Sequence, residues 1–169
     1  MSRPILADAF AHHTWASLQL IDACRALTPE QLARSMPGTF GPILDTLRHL
    51  AGGEAGYLFA ITAGRVDEIE EDTMGLDELH AAMERLGAEW PGVLAADLDP
   101  DLVVVRRRDD GSQSLAPLGI RLAQVLHHGS DHRSQVCTAL TLLGAEPPAI
   151  DVWDFAWSQG RLSEIAPGA

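Results

Sequence analysis

The sequence predicts an all-α fold: a four-helix bundle with a short extended hairpin before the last long helix and a short C-terminal helix. Two observations predict it. Apolar residues recur at three- and four-residue steps through four long stretches, which is the period of an amphipathic helix. The connections between those stretches are modest in length and marked by Pro, Gly and capping residues. At 169 residues the chain suits a single domain, residues 1–169, built on one bundle.

The first long helix, from Ile5 to Leu27, carries Leu6, Phe10, Leu20, Ile21, Cys24 and Leu27 as its apolar stripe. Thr28-Pro29-Glu30-Gln31 then predicts a short helical turn. Thr28 can cap, Pro29 fits the first helical position, where its missing N–H costs nothing, and Gln31 completes a capping box. The chain loosens through Ser35-Met36-Pro37-Gly38. Pro42 opens a second long helix reaching about Ala63, with Ile43, Leu47, Leu50, Leu58 and Ile61 on one side and Gly64 as its stop.

A third long helix is predicted to begin near Asp72-Thr73. It carries Leu76, Leu79, Met83, Leu86 and Trp90, and Pro91 kinks or ends it because proline lacks the N–H that the next turn needs. Leu102 to Arg108, then Asp110-Gly111, then a second polar segment reads as a hairpin. Leu118 to Leu143 is the longest periodic stretch and is closed by Gly144. Pro147-Pro148 ends regular structure. A short helix over Asp151–Gln159 then sets Val152 with Phe155 and Trp153 with Trp157 at helical spacing, as a lid packed on the bundle.

Composition excludes several functions. A hydrophobic content of 46% is far above the range in which a chain cannot offset its ordering entropy. Twelve basic against 24 acidic residues give a formal charge of −12, the wrong sign for tracking nucleic acid or an anionic membrane. The run Arg106-Arg107-Arg108 borders on Asp109-Asp110 and reads as the solvated side of a strand. Neither Lys nor Asn occurs, which removes the P-loop lysine, the Schiff-base nucleophile, the pyridoxal anchor and N-glycosylation. There is no G-x-S-x-G elbow. Cys24 and Cys137 lack a C-x-x-C spacing and read as small buried hydrophobes of a reducing compartment. No apolar stretch reaches membrane-spanning length, so a cytoplasmic protein is expected.

Three of the seven histidines stand out. His128 and His132 are four residues apart, so on a helix they lie one above the other on one face, as two ligands of one metal must. Their sector also holds Val125, Val136, Ala139 and Leu143, which aims the pair at the core or its edge. His49 lies off the main stripe of its helix. Thr46, Gly53, Gly56 and Ala60 flank it, and small residues there let another helix approach or leave room beside the ring. The same spacings also suit histidines that serve only as core polar groups of a metal-free scaffold.

His128-Gly129-Ser130-Asp131-His132 is not a zincin motif, because Gly129 stands where the catalytic Glu would be. Asp131, Glu54 and Gln135 are candidates for orienting or proton-handling roles, and no catalytic residue is assigned. His127 is expected to face solvent, as is His80 beside Glu78 and Glu84. His12 and His13 can each face either solvent or the bundle interior, and His12 is read as a surface residue.

Four landmarks spread over nearly the whole chain resemble the DinB/YfiT-like superfamily of candidate metalloenzymes. They are Trp15 with Leu27-Thr28-Pro29-Glu30-Gln31-Leu32; Thr39-Phe40-Gly41-Pro42-Ile43-Leu44 with Leu47-Arg48-His49-Leu50; Leu126 to Gln135; and Leu143-Gly144 with Pro147-Pro148 and Asp151. The resemblance implies a four-helix bundle, commonly homodimeric, whose divalent metal is held by His49, His128 and His132. Two departures bear on the substrate side: His13 stands where an Asn is usual, and Ser134 where a Gly is common.

The resemblance implies a metal-dependent enzyme, with zinc or nickel as the expected ion. The metal would activate a water or a low-molecular-weight thiol for hydrolysis of, or S-transfer to, a small-molecule electrophile. The alternative is a noncatalytic, stress-related bundle that binds a metal or small ligand without turning it over.

Overall fold

A computed structural model describes residues 3–108 and 110–165; Asp109, next to the basic run, lies outside them. The chain is mostly helical, with one small antiparallel hairpin placed before its longest helix. In order, the elements are α1 (Ala7–Cys24), α2 (Pro29–Leu32), α3 (Ile43–Ile61), a 3-10 turn (Glu71–Thr73), α4 (Leu76–Gly87), α5 (Trp90–Leu94), β1 (Val103–Arg107), β2 (Gln113–Pro117), α6 (Leu118–Leu142) and α7 (Val152–Ser158).

Local chemistry explains most of the boundaries. Thr28 caps α2, accepting from the Gln31 N–H while the Gln31 side chain accepts from the Thr28 N–H, so the predicted capping box is present. Pro42 is the N-cap of α3. Gly144 follows α6 with φ +77°, a left-handed turn that glycine adopts without steric cost.

The third long helix differs from expectation. Asp72 and Thr73 belong to the separate 3-10 turn, and α4 starts only at Leu76, where the Glu78 carboxylate accepts from the Gly75 N–H at 2.8 Å. The helix also stops at Gly87, and Trp90 opens α5 with Pro91 in its first turn, where the missing N–H is tolerated.

The four long helices pack in a ring, α1 and α3 each lying against both α4 and α6. Their buried apolar residues fall into two clusters. One joins Phe10, Leu58, Leu86, Trp90, Leu122 and Val125; the other joins Leu20, Leu47, Leu79, Met83, Val136 and Leu140. The N-terminal halves of α1 and α6 thus share a cluster with the C-terminal halves of α3 and α4, so α1 and α6 run opposite to α3 and α4. Between the clusters the same helices carry His13, Ser17, Glu54, His132 and Arg133, all buried. A polar layer therefore divides the core at mid-height.

The hairpin pairs Val103 with Pro117 through Arg107 with Gln113, close to the predicted excursion. Arg121 of α6 anchors it by donating to the Val104 carbonyl at 3.0 Å and the Ser114 carbonyl at 2.9 Å. Arg106 of the basic run pairs with Glu68 at 3.0 Å. The C-terminal lid packs less completely than predicted: Phe155 is buried, whereas Val152, Trp153 and Trp157 are exposed. Among the described residues, no helix is long and apolar enough to cross a membrane.

Candidate metal centre

His49 comes from α3, and His128 and His132 from the facing α6. The helical spacing stacks the α6 pair, and the packing of α3 on α6 brings the third ring to it. One ligating atom of each imidazole lies within 4.8 Å of the other two. His49 Nε2 and His128 Nε2 are 3.1 Å apart. Two nitrogens bound to one tetrahedral zinc at 2.0–2.1 Å stand about 3.3 Å apart, so this spacing is already that of a chelating pair.

Gly53 makes the approach possible. A Cβ there would stand 2.6 Å from His128 Cε1, so any larger residue would push against the ring. The small flank predicted beside His49 therefore serves helix approach, and it is the His128 ring that occupies the space.

Gln135 fixes the third ring. Its Oε1 accepts from the Phe40 N–H at 2.9 Å and lies 3.2 Å from His132 Nδ1. An amide oxygen offers no proton, so Nδ1 must be the donor and the His132 lone pair is left on Nε2. This outer hydrogen bond is the kind that orients metal-binding histidines. Phe40 stacks on His49 with centroids 4.3 Å apart and planes 13° from parallel, and Tyr57 meets His128 edge-on at 5.5 Å.

Burial and the neighbouring imidazoles His132 and His49 push the His128 pKa down to about 4. His49 is lowered by burial and by His132, partly offset by Glu71. Both rings are therefore neutral at pH 7, the form that offers a lone pair to a metal.

The other candidates separate cleanly. Asp131, on α6, is exposed. Glu54 is not among the imidazoles; it is 2% exposed and accepts from His13 Nε2 at 2.9 Å and from Trp90 Nε1. Arg133, 6% exposed, donates to His13 Nδ1 at 3.1 Å and to Ser17 Oγ at 3.2 Å. His13 thus accepts at Nδ1 and donates at Nε2, bridging a buried guanidinium and a buried carboxylate. Burial lowers the Arg133 pKa to about 10, with Glu54 opposing the shift, so the guanidinium stays charged at neutral pH.

This Arg133–His13–Glu54–Trp90 chain lies directly beside the three imidazoles, since Glu54 follows Gly53 and Arg133 follows His132. Periodicity alone did not reveal it. A signal was present in Gly53 and Gly129, glycines inside helices where they cost about 1 kcal/mol each relative to Ala. Gly129 lies against the His13 ring as Gly53 lies against His128.

His127 is exposed, as expected. His80 is half-buried, with Nε2 3.6 Å from an Asp22 carboxylate oxygen. His12 is not a surface residue: it is half-buried beneath α7, with Nε2 donating to the Ile150 carbonyl at 2.8 Å and its ring beside Trp15 and Phe155.

The family model of the DinB family matches residues 1–167. The chain belongs to the DinB family. No curated protein matches it. In this DinB-family chain the three clustered histidines are His49, His128 and His132, the set that the resemblance implied.

Proposed function

We propose that the chain is a metal-dependent enzyme of the four-helix-bundle type, in which His49, His128 and His132 hold a divalent ion, zinc or nickel. Its substrate is a small electrophile, attacked by water in a hydrolysis or by a low-molecular-weight thiol in an S-transfer. The observation that carries this reading is the donor set. Three imidazoles converge from two helices, one with its tautomer fixed by Gln135, and among the described residues no carboxylate or thiol belongs to the cluster. Three protein ligands with an open position is the pattern of catalytic rather than structural sites.

A bound divalent ion supplies Lewis acidity, which brings the pKa of a water or thiol toward neutrality. The chain's own residues do the rest. Gln135 holds the His132 ring in place, Gly53 admits His128, and Phe40, stacked on His49, and Tyr57, edge-on to His128, border the cluster with aromatic surface. Glu54, committed to His13 and Trp90, keeps its negative charge out of the ligand set.

The test is elemental analysis and calorimetric titration with zinc and nickel, comparing wild type with the His128→Ala variant, followed by turnover assays with thiols and electrophiles. The expected result is near-stoichiometric metal in the wild type, its loss in the variant, and turnover that follows the metal. Wild-type protein that stays metal-free after incubation with both ions refutes the reading. Metal-loaded protein that binds ligands and forms no product supports the noncatalytic binder instead.

A further inference from the structure

A cavity of about 560 Å³ lies over α1, between α5 and α7, and none of the three clustered histidines lines it. Its floor is the Phe10–Trp90 pair, ring centroids 4.4 Å apart and both residues 1% exposed. One wall is the Trp15–Phe155 pair, centroids 5.5 Å apart. The volume and the aromatic lining are those of a small-molecule site.

Its charged residues set it apart from the rest of the molecule. The chain has twice as many acidic as basic residues, yet among the described residues the only charged ones lining the cavity are Arg3 and Arg161. Their side chains are about half exposed, so they stand at the opening. Both guanidinium groups are held by the same Asp8 oxygen, Oδ1. One carboxylate between two fixed cations leaves a positive charge in excess above an aromatic floor.

We propose that this cavity binds a flat aromatic monocarboxylate, its ring beside Trp15 and the edge of Phe155, above the buried Phe10–Trp90 pair, and its carboxylate at Arg3 and Arg161. Aromatic walls favour a planar ring in offset or edge-on contact. Arginine favours the carboxylate because its fork can give two parallel charge-assisted hydrogen bonds. The site is independent of the metal reading, and either can fail without the other.

The experiment is calorimetric titration of the full chain with 2-naphthoate and with neutral 2-naphthalenemethanol, alongside amide and indole spectra of the ¹⁵N-labelled protein. The four tryptophans act as internal probes. Saturable 2-naphthoate binding should move the indole signals of Trp15 and Trp90 more than those of Trp153 and Trp157. The neutral analogue and the Arg3→Gln/Arg161→Gln variant should each bind at least tenfold more weakly.

Ala11→Phe, which fills the cavity from α1 without touching the polar layer, should abolish binding while the rest of the spectrum stays folded. Because carboxylates also ligate metals, the titration is repeated on the variant with Ala at His49, His128 and His132, where affinity should be unchanged. Equal affinity for the neutral analogue, full binding by the double Arg variant, or loss of binding in the triple His variant would each overturn the proposal, as would absence of binding.

Discussion

Replacing Glu54 with Ala tests the polar layer that divides the core. The carboxylate accepts from His13 Nε2 and Trp90 Nε1, and its charge is the buried counterpart of Arg133 across the His13 ring. The substitution leaves two buried donors without acceptors, each costing about 1–3 kcal/mol, and a buried guanidinium without compensation. Breaking a buried pair from one side costs about 3–5 kcal/mol, and that range is the expected loss. For a chain of this length each kcal/mol moves Tm by roughly 2–4 °C, so the melting point should fall by roughly 6–20 °C.

The assay is urea unfolding of the metal-free protein with an unchanged m-value, supported by thermal melting followed by circular dichroism. Arg133→Met should also destabilise, because it strands the Glu54 charge. The double variant should lose less than the sum of the two, since no uncompensated charge remains. A Glu54→Ala variant within about 0.5 kcal/mol of wild type, the range of an ordinary surface change, or strictly additive single variants, would refute the reasoning.

Gly53→Ala should weaken zinc binding at least tenfold while the fold persists, because the new methyl meets the His128 ring. Gly52→Ala, which meets only the flexible Glu71 carboxylate, should leave binding nearly unchanged; equal effects in a calorimetric titration would contradict this. Acidification should destabilise the metal-free chain. His128 stays neutral when folded down to about pH 4, whereas an unfolded imidazole protonates below about 6.5. The unfolded state therefore binds more protons between those values, and stability falls as pH drops through that window, less steeply in His128→Ala. Burial raises the Cys24 thiol to about 12, so native protein should resist iodoacetamide at that residue at pH 8, with mass spectrometry showing modification only after unfolding.

Local rules determined much of this protein. The capping box at Thr28, Pro42 at the start of α3, the left-handed Gly144 and the stacked His128–His132 pair all depend on residues within a few positions of one another. The start of α4 differs for the same kind of reason: Asp72-Thr73 has capping chemistry, but it is the Gly75 N–H, three residues later, that the Glu78 carboxylate caps. Periodicity also aimed the His128–His132 pair toward the core or its edge, because a helix presents a face every 3.6 residues.

Periodicity cannot say which face meets which. That His49 lands 3.1 Å from His128, 79 positions away, follows from the packing of α3 on α6. The bridging of Arg133 to Glu54 by His13, across 120 and 41 positions, follows from α1 packing on α6 across the bundle from α3. Tertiary structure also moved Glu54 from the site to the layer beside it and drew His12 under α7. The physical reason is common to all of these. A buried polar group must find its partner wherever the packing of other helices puts one, and that choice is made by the whole fold at once.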